Sequence, residues 1–251
     1  MVPIRTILDA HLHIIDPRFP LIENQGFLPD AFTCTDYLDQ VQDVDIIGGA
    51  VVSGSFQGFD QTYLIDSLQK LGEHFVGVTQ LRYDTSDEEI IRLHGHGVRA
   101  IRFNVRRGGS EDISRLDYFA RRVYEVAGWH AELYIDSTSL PDIASVLEHL
   151  PAVSVDHLGL SKEGFHHLLS LVDKGVRVKA TGFGRVELDV AEAIRSICSV
   201  NPEALMFGTD LPSTRAKRPY HPSDIELIYN TLGEEQTEQV LYKNAMNWYI
   251  K

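Results

Sequence analysis

The chain has 251 residues, 43% of them hydrophobic and 24% charged, with 19 Gly and 10 Pro. This composition excludes a disordered or collagen-like chain, and no stretch of about 18 uncharged apolar residues is present to span a membrane. With 23 basic against 36 acidic residues the formal net charge is −13, which disfavours nucleic acid and anionic membrane surfaces as partners.

Hydrophobic periodicity gives the elements in chain order. Near-continuous apolar, β-branched runs predict strands over 6–13, 46–52, 75–81, 98–104, 131–135, 153–157, 176–181 and 205–209. Runs without alternation suit parallel strands buried on both faces. Helical spacing fills the intervals, over 35–43, 63–71, 87–93 and 116–127, after Pro141, and over 165–172, 190–197, 225–232 and 236–248. Ser86 followed by Glu89 reads as a capping box, and Gly72, Gly128 and Gly175 stand where helices stop. Residues 16–30 form an early irregular insert. No Gly-x-Gly-x-x-Gly follows the first strand, which weakens the case for an open dinucleotide-binding sheet. The expected fold is α/β, a single-domain (β/α)8 TIM barrel over residues 1–251 with room for distortion. Met1 to His11 lacks a basic segment followed by an uninterrupted apolar run, so no secretory leader is expected. Two cysteines, Cys34 and Cys198, make no disulfide framework, and the cytoplasm is the expected compartment.

Barrel enzymes carry their chemistry at the C-terminal ends of the strands, and that rule sorts the polar residues. With 11 His in 251 residues, chance alone places roughly half a His-x-His, yet two occur. His94 and His96 fall between a helix and the following strand, at the opposite end, and read as a turn. His11 and His13 end the first strand, where residues i and i+2 point the same way and both imidazoles can converge. His157 ends the sixth strand and Asp210 the eighth. Taken singly they read as a core histidine and a helix cap; taken jointly the four make a mononuclear metal site or a polar catalytic cluster. Arg102, Arg106, Arg107, Lys179, Arg185, Arg215, Lys217 and Arg218 all fall at strand ends or in the loops after them. This local basic excess points to a small anionic substrate clamped by arginine forks. Lys179 has a competing reading as half of a buried ion pair with Asp156.

At these residues the chain resembles the amidohydrolase superfamily, in the amidohydrolase-2 branch that holds 2-pyrone-4,6-dicarboxylate lactonases and sugar lactonases. The matching stretches are Asp9-Ala-His11-Leu-His13 with Asp16-Pro17, Gly97 to Asn104, Val155-Asp156-His157-Leu-Gly159, Val178 to Gly182, Phe207 to Pro212 and Lys243-Asn244-Ala245. The resemblance implies a cytoplasmic hydrolase that opens a carboxylate-bearing lactone. His11, His13 and His157 would polarise the carbonyl or, with Asp210, hold one divalent metal, zinc or manganese; metal-independent forms belong to the same branch. Asp210 would be the general base. Arg102, with Arg106 or Arg107, would take a substrate carboxylate, with Arg185 and Tyr134 lining the site. The chain departs from the binuclear pattern, because strand four offers Arg102 and Asn104 in place of a bridging Lys or Glu, and His130 starts strand five rather than ending it. Leu160 stands where the pyrone lactonases often place an arginine. The rival readings are a metal-dependent decarboxylase of the same branch and a small-molecule binding barrel, with a homo-oligomer left open.

Overall fold

The structure is a computed structural model that describes residues 5–250, so Met1–Ile4 and Lys251 of the expected 1–251 barrel lie outside the described residues. Eight parallel strands follow one another in sequence order around a nearly closed barrel. They are β1 (Thr6–Leu12), β2 (Asp45–Val52), β3 (Phe75–Thr79), β4 (Val98–Phe103), β5 (His130–Leu133), β6 (Val153–Val155), β7 (Arg177–Ala180) and β8 (Leu205–Phe207). Helices α1 (Cys34–Gln40), α2 (Thr62–Leu71), α3 (Asp87–Gly95), α4 (Leu116–Ala127), α5 (Ala144–Leu147), α6 (Phe165–Asp173), α7 (Val190–Val200) and α8 (Ser223–Leu232) fill the intervals.

Local chemistry explains the helix bounds. In α4, Leu116, Phe119, Ala120 and Val123 are buried, the one-face spacing of a helix, while Tyr118 and Tyr124 stay exposed. Gly128 then ends the helix at φ +69°, a left-handed conformation that side chains resist. Thr33 and Asp36 form a reciprocal capping box at α1. The box expected at α3 forms only by half: the Ser86 hydroxyl accepts from the Glu89 amide, but the Glu89 carboxylate turns to Arg92 at 2.7 Å, a charged partner one turn on. After Pro141 the expected helix shrinks to the four residues of α5, preceded by a 3-10 turn over Ser137–Asp142. The expected 236–248 helix is interrupted. It runs as α9 (Glu234–Glu238), a π-helical turn over Gln239–Lys243, and α10 (Asn244–Tyr249). Asn244 pins this break by donating to the carbonyls of Pro202 (2.9 Å) and Leu205 (2.8 Å).

Packing divides into two layers. Outward strand residues and the helices' inner faces make the main core, with Ile7, Leu12, Leu64, Leu93, Phe119 and Ile194 among its members. Alternate residues, Leu8, Ala10, Ala50, Val52, Val76, Val78, Ala100 and Met206, pack with Ala245 and Tyr249 inside the barrel. Above that apolar floor the interior turns polar, with Glu132, Ser154, Asp156, Lys179 and His11 all fully buried.

Two irregularities shape the working end. Asp9 faces Gly49 and Leu12 faces Val51, so β1 carries one extra residue there, a bulge that re-aims His11. The β8–β1 seam is closed beyond the ladder, by Asp210 N donating to His11 O (2.7 Å) and His13 N to Leu211 O (2.8 Å). The buried Asp9 carboxylate stitches the same seam, accepting from the Thr209 amide (2.8 Å), the Thr209 hydroxyl (2.7 Å), the His11 amide (3.2 Å) and the Tyr37 hydroxyl (3.1 Å). Gly208 lets β8 approach this closely, because a Cβ there would lie 2.6 Å from His11 N.

Candidate active site

The strand ends bring His11, His157 and Asp210 together at the mouth, each offering a ligand atom within 4.8 Å of the others. His13 joins from the side: its Nε2 is 3.6 Å from Asp210 Oδ1, and its ring centroid is 5.0 Å from that of His11. All four expected residues are therefore neighbours, with His13 outside the mutually close trio.

Their second bonds set what each presents. His13 Nδ1 lies 2.7 Å from the Val52 carbonyl, and His157 Nδ1 3.3 Å from the Thr181 carbonyl. A carbonyl can only accept, so Nδ1 carries the proton in both rings and, in the neutral ring, Nε2 keeps a lone pair. His11 Nδ1 sits 3.5 Å from both Lys179 Nζ and Asp156 Oδ1. His11 Nε2 and Asp210 Oδ1 are buried and have no hydrogen-bond partner among the described residues. Burial, more than any neighbour, pushes His157 down to about 3 and His11 well below the usual imidazole range.

Three of the buried carboxylates, Asp210, Asp156 and Glu132, each have their own fixed cation. Arg185 donates Nε (2.9 Å) and Nη2 to Asp210 Oδ2. Burial alone would raise Asp210, but the Arg185 guanidinium together with His157, His13 and His11 outweighs it and holds the carboxyl well below the ordinary range. Arg102 donates Nε (3.2 Å) and Nη2 (2.8 Å) to Asp156 Oδ2 and Nη1 (2.8 Å) to the Ser53 carbonyl. Lys179 pairs with Glu132, to which the Tyr249 hydroxyl also donates at 2.5 Å. The main partner of Lys179 is thus Glu132, and Asp156, the partner expected from sequence, lies 3.9 Å away. Glu132 is the residue that sequence reasoning missed; the available signal was a carboxylate inside an otherwise apolar strand.

Two adjoining cavities open above the trio. The inner one is lined by His13, Arg102, Arg107, Tyr134, His157 and Arg185, among others. The outer one meets Arg106, Arg107, Tyr134, Arg185, Arg215 and Lys217, with Leu160 in its wall. The Arg106 and Arg107 guanidiniums make no hydrogen bond or ion pair among the described residues, whereas the Arg102 fork is spent inside the protein. Arg107 reaches both cavities and Arg106 only the outer one. Of the eight basic residues expected at the mouth, Lys179 is buried inside the barrel, and Arg218 pairs with Asp224 at 2.6 Å. His94 and His96 lie at the opposite end, with Trp129 Nε1 donating to His94 Nδ1 at 3.2 Å. His130 starts β5 and bonds Glu132 at 2.9 Å, away from the trio.

Backbone strain concentrates on the same loops. Among the described non-glycine residues, left-handed φ values occur at His157 (+52°), Leu158 (+52°), Leu160 (+69°), Asp210 (+61°), Ser213 (+63°) and Arg215 (+60°), with Gln25 in the insert (+53°). Residues held this way cost energy that the surroundings must offset, and they cluster at functional sites. Gly182, at φ +61°, gives His157 and Arg185 room: a Cβ there would lie 2.8 Å from both side chains.

A parallel barrel with two His and one Asp converging at the strand ends defines the class, a barrel enzyme with a polar or metal-binding centre at its mouth. A family model for amidohydrolases matches residues 8–250, and the chain belongs to that family. It is 26% identical over 287 residues to a 2-pyrone-4,6-dicarboxylate hydrolase of Comamonas testosteroni, covering 96% of this chain and 89% of that one. It is 24% identical over 264 residues to a 4-sulfomuconolactone hydrolase of Hydrogenophaga intermedia, covering 94% and 86%. In fold it matches a protein of Agrobacterium tumefaciens (TM-score 0.85, 21% identity, 98% and 97% covered). It also matches a probable 2-pyrone-4,6-dicarboxylic acid hydrolase of Acinetobacter baumannii with citric acid bound (TM-score 0.83, 20% identity, 97% and 98% covered).

Proposed function

We propose that the chain, taken over 1–251 as one amidohydrolase-type barrel, is a hydrolase that opens a small lactone bearing a carboxylate or similar anionic group. The observation that carries this reading is the meeting of an ionised, buried Asp210 with three histidines beneath a mouth lined by arginines. The relatives from Comamonas testosteroni and Hydrogenophaga intermedia are hydrolases of anionic lactones by name.

In this reading a water above the trio attacks the lactone carbonyl and Asp210 accepts its proton through Oδ1, the oxygen that Arg185 leaves free. The ring ester bond breaks and the new carboxylate stays near the arginines. Arg107 takes the substrate's anionic group, because its fork is unspent. Arg102, cast as a clamp from sequence, instead holds Asp156 in place beneath His11. Tyr134, its ring centroid 4.9 Å from that of His157, packs that imidazole edge-on.

The donors fit a divalent cation. His11, His157 and Asp210 would hold it, with His13 Nε2 beside them, and two of the donor atoms are buried without partners. Such an ion, zinc or manganese, would lower the pKa of a bound water toward about 7. A second reading, hydrolysis without metal, is favoured by Arg185, which already places a fixed positive charge on Asp210 and lines both cavities.

The test is acid release from a panel of carboxylated lactones by wild type and Asp210→Asn, each before and after chelation. Turnover that survives chelation and vanishes in the variant supports the metal-free reading. Turnover restored only by zinc or manganese supports the metal reading. No turnover by wild type under any of these conditions overturns the lactonase and moves the assignment to the decarboxylase.

A further inference from the structure

The insert between β1 and α1 plays no part in the reaction outlined above, yet it is built in detail. It is closed at its base by Ile15 and Phe32, whose backbones bond at 2.6 and 2.8 Å, and at its tip by Asn24 and Phe27, at 2.9 and 3.1 Å. Gln25 and Gly26 form the tight turn between them, both with left-handed φ (+53° and +72°). The Ile22 amide ties the descending arm to the Phe56 carbonyl at 2.8 Å.

The tip grips two mouth loops at once. Asn24 Nδ2 (3.1 Å) and Gln25 Nε2 (3.2 Å) both donate to the Arg107 carbonyl, in the loop after β4. From the loop after β8, Arg215 donates Nη1 to Asn24 Oδ1 (3.3 Å) and Nη2 to the Asn24 carbonyl. Its guanidinium carbon lies 4.4 Å from the centroid of the Phe27 ring. Arg215 is thereby fixed by a stack and a two-point hold, at a strained backbone position, while it lines both cavities beside the unspent Arg107. Burial, and next the like charge of Arg107, push the Arg215 guanidinium down. Two cations facing one opening in this way are relieved by an anion between them.

We propose that the Asn24–Phe27 turn is a specificity-determining element of this enzyme, presenting Arg215 beside Arg107 as a fixed receptor for the anionic group of the substrate. The proposal rests on reading the mouth as an anionic-lactone site. Selection for charge then resides in the insert as well as in the strand ends. The reaction centre of His11, His157 and Asp210 is left untouched by changes at the turn.

The experiment compares wild type, Phe27→Leu, Asn24→Ala and Arg215→Gln, each checked for an unchanged far-ultraviolet spectrum. Citrate binding is measured by calorimetry, and kinetics are run on 2-pyrone-4,6-dicarboxylate and on the neutral δ-valerolactone. Removing the stack in Phe27→Leu is expected to weaken citrate about fivefold, and removing the fork in Arg215→Gln about tenfold or more. KM for the dicarboxylate should rise by a similar factor while its kcat stays within about twofold of wild type, and KM for δ-valerolactone stays unchanged, the pattern of lost anion binding. If Asn24→Ala unfolds the insert, Phe27→Leu decides, since it keeps the apolar bulk. Equal losses on the charged and neutral lactones overturn the proposal and leave the turn a plain loop anchor. So does a citrate affinity that is absent in wild type or unchanged in the Arg215 and Phe27 variants. Should wild type hydrolyse neither lactone, the lactonase reading fails, and the citrate titrations still decide the receptor.

Discussion

Lys179→Met isolates the charge pairing inside the barrel. The ammonium is fully buried and is bonded to a fully buried Glu132. Removing it leaves a carboxylate with the Tyr249 hydroxyl and His130 for company and no lysine. Breaking a buried pair from one side costs about 3–5 kcal/mol. Burial then goes unopposed by that cation, and the Glu132 carboxyl, now held below its ordinary 4.5, rises above it. A group raised in the folded state gives stability that is present below its unfolded pKa and lost as pH climbs through the folded value. The deficit of the variant against wild type should therefore widen from pH 4 to pH 8. Adding Glu132→Gln keeps an acceptor for Tyr249 and deletes the orphaned charge, so the double variant should recover most of the loss. Urea unfolding of wild type, Lys179→Met, Glu132→Gln and the double variant at both pH values measures this. A single variant within about 0.5 kcal/mol of wild type, or two changes that simply add, would refute the reasoning.

Arg185→Met should lower kcat/KM by about 10²–10³, the range for a lost electrostatic stabiliser. Without the guanidinium, burial raises Asp210, so the acid limb of the pH–rate profile moves to higher pH; an unmoved limb would show that Arg185 does not set the base. Gly208→Ala should cost several kcal/mol and inactivate the enzyme, since its Cβ would press on His11 N at 2.6 Å; thermal melting and acid release both report it. Asp9 is raised by burial from 3.8 to about 6, so its contribution is fully present below pH 4 and is lost as pH rises through 6. Asp9→Asn should thus narrow its stability gap to wild type, or reverse it, between pH 4 and pH 8, by at most about 3 kcal/mol at 1.4 kcal/mol per unit. A gap that does not change with pH would place the charge of Asp9 outside the balance.

The barrel was legible because parallel strands buried on both faces leave continuous apolar runs, and all eight appear within a few residues of their expected bounds. What failed was local competition that periodicity does not encode. Glu89 satisfies the predicted capping spacing, but Arg92 lies one turn on and a charged donor outcompetes the Ser86 amide. The C-terminal pattern reads as one helix because side-chain spacing tolerates a π-helical turn. The break is set by Asn244 reaching carbonyls 39 and 42 residues away.

The site divides along the same line. His11, His13, His157 and Asp210 were visible because each ends a strand, and strand ends share one place in a barrel. Which cation serves which carboxylate was not visible, because that depends on depth along the barrel axis. Arg102 and Lys179 come from interior positions of β4 and β7, and their charges are paired with Asp156 and Glu132. Arg107, in the loop just beyond β4, escapes that pairing and stays free at the mouth. A basic residue on an inward strand position with a carboxylate at similar depth on a neighbouring strand is structural by default. One in the loop beyond the strand is the candidate for binding, and that distinction favours Arg107 over Arg102 as the anion clamp of the proposed reaction.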